Sequence, residues 1–248
     1  MDWIQGTILG TVAVVLVLAL GWLVGVHARK RGGGDRVVGL LKIAVAPLVR
    51  VYWGARFRGL ERVPDPIPEP GLVLVCNHTS GLDPVLVNWG CNLRIRWMMS
   101  RALMTPLLGP LGHRLGVLPI EFSERDRASV TEAIRILRAG GVVGIFPEGR
   151  IARPPEVVQP FQPGLGLLVA RTGASVLLMH SQGPRPGRST FGSLLRPCRA
   201  RVTVVELIDY RDRGLKARAI TEDLRQRLHR ATGWPLEDIS PEASLARD

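Results

Sequence analysis

Apolar positions are distributed along this chain in two different ways. From Thr7 to Val26 they are nearly continuous, TILGTVAVVLVLALGWLVGV, and no charged side chain interrupts them. A run of roughly 20 such residues is long enough to cross the hydrocarbon core of a bilayer as a helix, so an N-terminal transmembrane helix is predicted. A cleaved signal peptide is the competing reading. Asp2, the lack of a basic residue ahead of the run and the lack of a small-x-small site after His27 argue against it. After the short RGGGD hinge at 31–35, the segment from Val37 to Trp53 is again apolar nearly all round, with Lys42 and Arg50 as its charges and Pro47 breaking it. A helix lying in the membrane interface, with its basic side chains snorkelling outward, is expected there.

From Ala55 onward the pattern changes to short apolar runs separated by amphipathic ones. Strands are predicted at Leu72–Cys76, Ile95–Met99, Val117–Ile120, Val142–Phe146, Ser175–Met179 and Val202–Leu207. Helices are predicted at Pro84–Gly90, Arg101–Leu108, Arg127–Ala139, Leu165–Arg171 and Leu215–Thr232. The clearest helix is Arg127–Ala139, with Val130, Ile134 and Leu137 on one face and Gly140-Gly141 ending it. This alternation predicts an α/β fold, a mostly parallel central sheet flanked by helices. The chain divides on this reading into an anchor and hinge (1–34), an interfacial helix (35–54), the α/β domain (55–235) and a polar tail (236–248).

Charge narrows the partners. The 33 Lys and Arg against 21 Asp and Glu leave a net charge of +12, which calls for anionic partners. With two Tyr and five Phe to stack on bases and no nucleic-acid motif, membrane phospholipids are expected as partners and nucleic acid is not. Arg29, Lys30 and Arg31 follow the apolar run directly, and by the positive-inside rule they hold that end in the cytoplasm. A single-pass protein of the cell membrane, with its folded domain on the cytoplasmic side, is the expectation. Trp3 and Trp22 read as interfacial anchors of the span. Cys76, Cys91 and Cys198 have neither metal-ligand spacing nor an even count for disulfides, so no metal is expected and a reducing compartment fits.

The candidate chemistry lies at strand ends. His78 follows the Gly71–Cys76 run, and Asp83 comes after four intervening residues. If Asp83 accepts a hydrogen bond from one ring nitrogen of His78, the other nitrogen can take a proton from a hydroxyl. No Gly-x-Ser-x-Gly elbow is present, and Ser80 reads as a helix cap, so the pair suits direct transfer from a preformed activated ester to an acceptor hydroxyl. The bland alternative is a pair of turn and helix caps. A second strand end, Phe146-Pro147-Glu148-Gly149-Arg150, offers an arginine for a phosphate, a glycine for close backbone approach, and a carboxylate to orient the arginine or meet an acceptor hydroxyl. His113, His180, Trp89 and Trp97 read as structural.

Together these segments resemble the phospholipid and glycerol acyltransferases of the 1-acylglycerol-3-phosphate acyltransferase (PlsC) type. Asn77-His78 with Asp83 is similar to that family's first block, and Phe146-Pro147-Glu148-Gly149-Arg150 to its third, with the usual threonine missing. Phe57–Pro64 looks like the segment ahead of the first block, so the likeness covers roughly Val51 to Glu206. Two departures stand out: Phe122 occupies the place of the second block's arginine, and Leu178 that of the fourth block's proline.

The resemblance implies a glycerol-3-phosphate acyltransferase-like fold. It also implies His78 and Asp83 as catalytic residues, with Asn77, Arg101, Phe146, Pro147, Glu148, Gly149 and Arg150 binding substrate. The implied enzyme is a membrane-bound O-acyltransferase of phospholipid synthesis. It would move a fatty acyl group from acyl-CoA or acyl carrier protein, as co-substrate and without a cofactor, to a lysolipid or glycerol-phosphate hydroxyl. Loss of the second-block arginine keeps another acceptor in view, such as an amino-acid lipid, a glycolipid or another lipid alcohol; from a different class, a lipid-binding protein that keeps the fold without turnover is a further alternative.

Overall fold

The continuous apolar sequence and the alternating sequence after it fold as two units, Met1–Ala46 and Pro47–Asp248. The structure is a computed structural model that describes residues 21–32, 34–104, 109–121, 127–184, 187 and 191–237.

In the first unit, helix α1 is described over residues 21–31 and α2 spans Arg36–Pro47. The glycine-rich segment between them is a turn. Asp35 ends it by accepting the Val37 and Val38 amide protons on Oδ1 at 2.8 and 3.2 Å, a side-chain cap for α2. The helices touch where Gly39 faces Ala28, and a Cβ on Gly39 would stand 1.7 Å from the Ala28 carbonyl oxygen. Trp22, Leu23, Val26, Val37, Leu40 and Leu41 are exposed. Among the described residues no helix is long and apolar enough to cross a membrane. The predicted transmembrane helix at Thr7–Val26 is therefore unsupported: its residues 7–20 lie outside the described residues, and what is described of α1 carries Arg29, Lys30 and Arg31. After Pro47 closes α2, Leu48–Tyr52 forms a π turn.

The second unit is the α/β domain. Seven strands, β1 (Arg56–Arg58), β2 (Leu72–Cys76), β3 (Ile95–Ser100), β4 (Leu118–Ile120), β5 (Val142–Ile145), β6 (Ser175–Gln182) and β7 (Arg201–Ile208), form one sheet in the order β1-β7-β6-β2-β5-β3-β4. All neighbouring pairs are parallel except β6–β7. The helices are α3 (Asp83–Gly90), α4 (Gly109–Leu115), α5 (Arg127–Arg138), α6 (Gly164–Thr172) and α7 (Ala217–Thr232). A central parallel strand is covered on both faces, which is why β2 is apolar at every position and fully buried. On one face Val73, Val75, Val143, Val176 and Leu178 pack with Leu137 of α5, Leu165 and Leu168 of α6, and Leu224 and Leu228 of α7. Each such side chain taken out of water is worth about 1.5–3 kcal/mol. On the other face Cys91, just past α3, meets Met179 of β6.

Every predicted strand is present, and the mostly parallel sheet is as expected. β1 was not foreseen, because a single apolar residue between two exposed arginines on an edge strand carries no pattern. The helix expected at Arg101–Leu108 is a 3-10 turn over Arg101–Leu103 in its described part, with residues 105–108 outside the described residues. The helix α4 follows it instead, hidden in the sequence by two glycines and a proline. Of the tail predicted to be solvated, residues 236–237 are held: Leu236 bridges to Val158, and the Arg225 guanidinium donates to the Glu237 carbonyl at 2.6 Å.

Candidate active site

Parallel strands carry their loops of opposite direction to opposite edges, so the C-terminal ends of β2, β5 and β6 share one edge of the sheet, where α/β folds place ligands. At the exit of β2 the chain turns into α3, and Asp83 is the first residue of that helix. Its carboxylate is fully buried and well supplied with donors. Oδ2 accepts the Thr79 and Ser80 amide protons, both at 2.7 Å, and lies 3.0 Å from Nδ1 of His78. Oδ1 accepts the hydroxyls of Thr79 at 3.1 Å and of Ser181 at 2.7 Å. An ionised carboxylate only accepts, so the proton shared with His78 belongs to Nδ1 and Nε2 keeps its lone pair. The His78 side chain is 16% exposed, enough to meet a substrate from one side.

Asn77 fixes the same turn to β6. Its side-chain amide donates to the Ser181 carbonyl at 3.0 Å, and its carbonyl accepts the Ser181 amide proton at 2.8 Å. Both ends of the Asn77 amide thus serve the backbone of a strand more than 100 residues later in the sequence. Ser181 was not foreseen. It belongs to a buried strand, and nothing local marks a serine there as the partner of a distant aspartate.

The exit of β5 is arranged differently. Phe146 lies against the His78 imidazole with centroids 4.2 Å apart and planes 17° apart, and Trp97 of β3 lies against the other face of Phe146 at 4.6 Å and 8°. The Pro147 carbonyl accepts the Gln162 amide proton at 2.7 Å, and Gly149 turns the chain at φ 76°, a left-handed conformation that glycine takes without strain. The Ala152 amide proton then reaches the His78 carbonyl at 2.7 Å, tying the second motif to the first. Glu148 is completely buried, and neither carboxyl oxygen has a hydrogen-bond partner among the described residues. Burial, and next the charge of Asp83, push this carboxyl well above the usual range, against the pull of the His78 amide and Arg150. Arg150 is also buried.

The structure thus gathers His78, Asp83, Asn77, Phe146, Pro147, Glu148, Gly149 and Arg150 at two adjoining strand exits. Arg101 stands apart in its bonding: its side chain is 63% exposed and pairs with Glu121 at 3.0 Å. Cys76, next to Asn77, is fully buried, and desolvation followed by the charges of Asp83 and Glu148 pushes its thiol well up, which disfavours the thiolate. His113 is exposed on α4. His180 is packed edge-on to Trp234, but its Nδ1 has no partner among the described residues, unlike the satisfied structural histidine expected there. Among the described residues no group of three or more His, Cys, Asp or Glu side chains is placed to hold a metal ion.

Comparison with known proteins agrees with this arrangement. The family model described as Acyltransferase matches residues 54–179, which include both strand exits. A 1-acyl-sn-glycerol-3-phosphate acyltransferase of Bacillus subtilis is 25% identical over 151 residues, 60% of this chain and 72% of that protein. The crystal structure of the 1-acyl-sn-glycerophosphate (LPA) acyltransferase PlsC from Thermotoga maritima has the same fold. It superposes with a TM-score of 0.58 at 18% identity, covering 90% of this chain and 91% of that one.

Proposed function

This chain belongs to the acyltransferase family, and from that premise we propose that it is a membrane-associated enzyme that acylates the free hydroxyl of a lysophospholipid, with lysophosphatidate as the leading acceptor. The observation that carries the reading is the His78–Asp83 pair, with Asp83 buried and its oxygens occupied by donors. Nε2 of His78 removes the proton of the acceptor hydroxyl, and the alkoxide attacks the carbonyl carbon of a fatty acyl thioester. The tetrahedral intermediate expels the thiolate, which takes the proton back from the imidazolium. Asp83 balances the imidazolium charge while it exists. Coenzyme A or acyl carrier protein is the leaving group, and no further cofactor is required.

Arg150 and Glu148 are the proposed acceptor-binding groups. A buried guanidinium suits a phosphate, and a carboxyl whose protonated form is favoured by burial can donate to an acceptor oxygen. The replacement of the second block's arginine by Phe122 favours a second reading, in which the acceptor is a lipid alcohol with less phosphate charge to neutralise. Membrane association is supported by the exposed Trp22, Leu23, Val26, Val37, Leu40 and Leu41 of the first unit and by the net charge of +12. The apolar sequence ahead of α1 is proposed to extend that attachment, with the α/β domain on the cytoplasmic face.

The test is acyl transfer from labelled acyl-coenzyme A and acyl carrier protein to a panel of lysolipids and lipid alcohols, with wild type and Arg150→Gln. Phosphatidate as product, and a loss in Arg150→Gln far greater for lysophosphatidate than for a neutral lipid alcohol, is expected. Equal losses on both acceptors would remove the phosphate-binding role.

A further inference from the structure

Two departures from ordinary strand chemistry meet at one place behind the base. Gly144 lies inside β5, where a glycine weakens a strand and packs nothing. Trp97 of β3 is paired in register with it and is 3% exposed, yet its indole Nε1 has no hydrogen-bond partner among the described residues. A buried donor left unmade is a cost that a phenylalanine would not carry, so apolar packing alone does not account for the indole. Departures of this kind in a well-packed core mark places where something other than stability is being served.

The geometry says what that is. A Cβ on Gly144 would stand 2.7 Å from Trp97 Cε3 and 2.6 Å from Ile95 Cγ2, so the glycine is what lets the indole lie flat over β5. The indole then faces Phe146 at 4.6 Å with planes 8° apart, and Phe146 faces the imidazole of His78 at 4.2 Å and 17°. Three nearly parallel rings, carried by the three adjacent strands β3, β5 and β2 and the turns that follow the last two, form one column. Asp83 fixes one ring nitrogen of His78 at 3.0 Å, but one hydrogen bond leaves rotation about its own axis open. A flat ring against the imidazole face closes that rotation, and such a ring holds its plane only if something flat stands behind it. Stacked aromatic pairs of this kind attract each other beyond what their buried area contributes.

We infer that Trp97, seated on Gly144, is a positioning residue that sets the plane of the His78 imidazole through the ring of Phe146. The inference rests on the reading of His78 as the general base. Trp97 is 3% exposed and stacks on Phe146, which in turn stacks on His78, so its removal should disturb the rate of proton transfer and leave acceptor binding alone.

The test uses the full chain in detergent micelles with oleoyl-coenzyme A and 1-oleoyl-lysophosphatidate, and three variants. Trp97→Met keeps apolar bulk without a flat face, Trp97→Phe keeps a face, and Gly144→Ala displaces the indole without removing it. Misplacing a catalytic group by a fraction of an ångström is expected to lower kcat roughly 10-fold in Trp97→Met and Gly144→Ala, with KM within about twofold of wild type. Trp97→Phe, which keeps a smaller flat face, should lose less than Trp97→Met. A substrate-independent readout is the imidazole proton resonances of His78, assigned among the five histidines by their loss in His78→Ala. Stacking on Phe146 should hold them upfield in wild type and Trp97→Phe, and they should relax toward ordinary imidazole positions in the other two variants. Equal kcat losses in the Met and Phe variants, or unmoved His78 resonances in Trp97→Met, would overturn the inference. Full activity in His78→Ala would instead overturn the assignment of the base.

Discussion

The exits of β2 and β5 lie side by side on paired parallel strands, and both pass from a buried apolar run into a short polar turn. Their polar groups are treated in opposite ways. At the β2 exit Asp83 is met by two backbone amides, two hydroxyls and the His78 ring, and Asn77 is engaged at both ends of its amide. At the β5 exit Glu148 is just as deeply buried and has no hydrogen bond to either oxygen among the described residues. Burying a carboxylate costs several kcal/mol; the His78 amide and Arg150 offset part of that cost, and burial together with the charge of Asp83 still favours the protonated form. On the proposed reading, the first exit holds a base ready for a proton, while the second leaves a buried carboxyl for a group that a ligand would bring, as a transferase site with its base built in and its acceptor supplied would require.

The largest effect should come from removing the complete half. His78→Ala is expected to lower acyl transfer by about 10⁴-fold without a comparable change in lipid binding, checked by single-turnover transfer from labelled acyl-coenzyme A and by co-sedimentation with vesicles. Transfer that survives in this variant would erase the difference between the two exits. Asp83→Asn should follow, at about 10³-fold, because the amide points its own N–H groups at donors and leaves the imidazole in the wrong tautomer. That variant should also lower the urea midpoint, as an amide in a cage of donors leaves several of them unpaired. Ser181→Ala is milder: it removes a 2.7 Å hydroxyl donor to a buried carboxylate, worth about 2 kcal/mol, and activity should fall several-fold rather than vanish. A Ser181→Ala enzyme with unchanged stability and rate would mean that Asp83 is held by its local turn alone.

These contacts also show which parts of the molecule were legible beforehand. Strands such as β2 and β6 could be located because burial on both faces demands unbroken apolar sequence, and the His78–Asp83 spacing is short enough for one turn to bring the two together. Glu148, Gly149 and Arg150 were also marked, by their chemistry at a strand exit, while Asn77, Phe146 and Pro147 were marked by the family resemblance alone. What no spacing could reveal is what β6 brings. Ser181 comes from another strand 98 residues after Asp83, and its role depends on the parallel register of β6 on β2. Trp97 is a similar case: an apolar residue in an apolar strand reads as core, and only the pairing with Gly144 shows that its flat face is used. Arg101 shows the reverse, a basic residue at a strand end that suggested substrate contact and forms an exposed ion pair with Glu121. Local pattern therefore exposes elements and neighbouring pairs, while contacts between strands wait for the sheet order.

The smallest predicted effect tests the incomplete half directly. The folded-state value of the Glu148 carboxyl is raised, so folding favours its protonated form. The stability this contributes is fully present below the unfolded carboxyl value, about 4.3, and is lost as pH rises through the folded value. Glu148→Gln replaces the group with a neutral isostere that cannot titrate. The variant should match wild type in urea midpoint near about pH 4 and exceed it at about pH 8, because only wild type must bury a carboxylate or hold its proton there. Acceptor KM should rise in the same variant while the His78-dependent step persists, since the base and its orienting aspartate are untouched. A stability difference that stays constant across this pH range would mean that Glu148 is partnered and charged in the folded protein, and the two strand exits would then be alike.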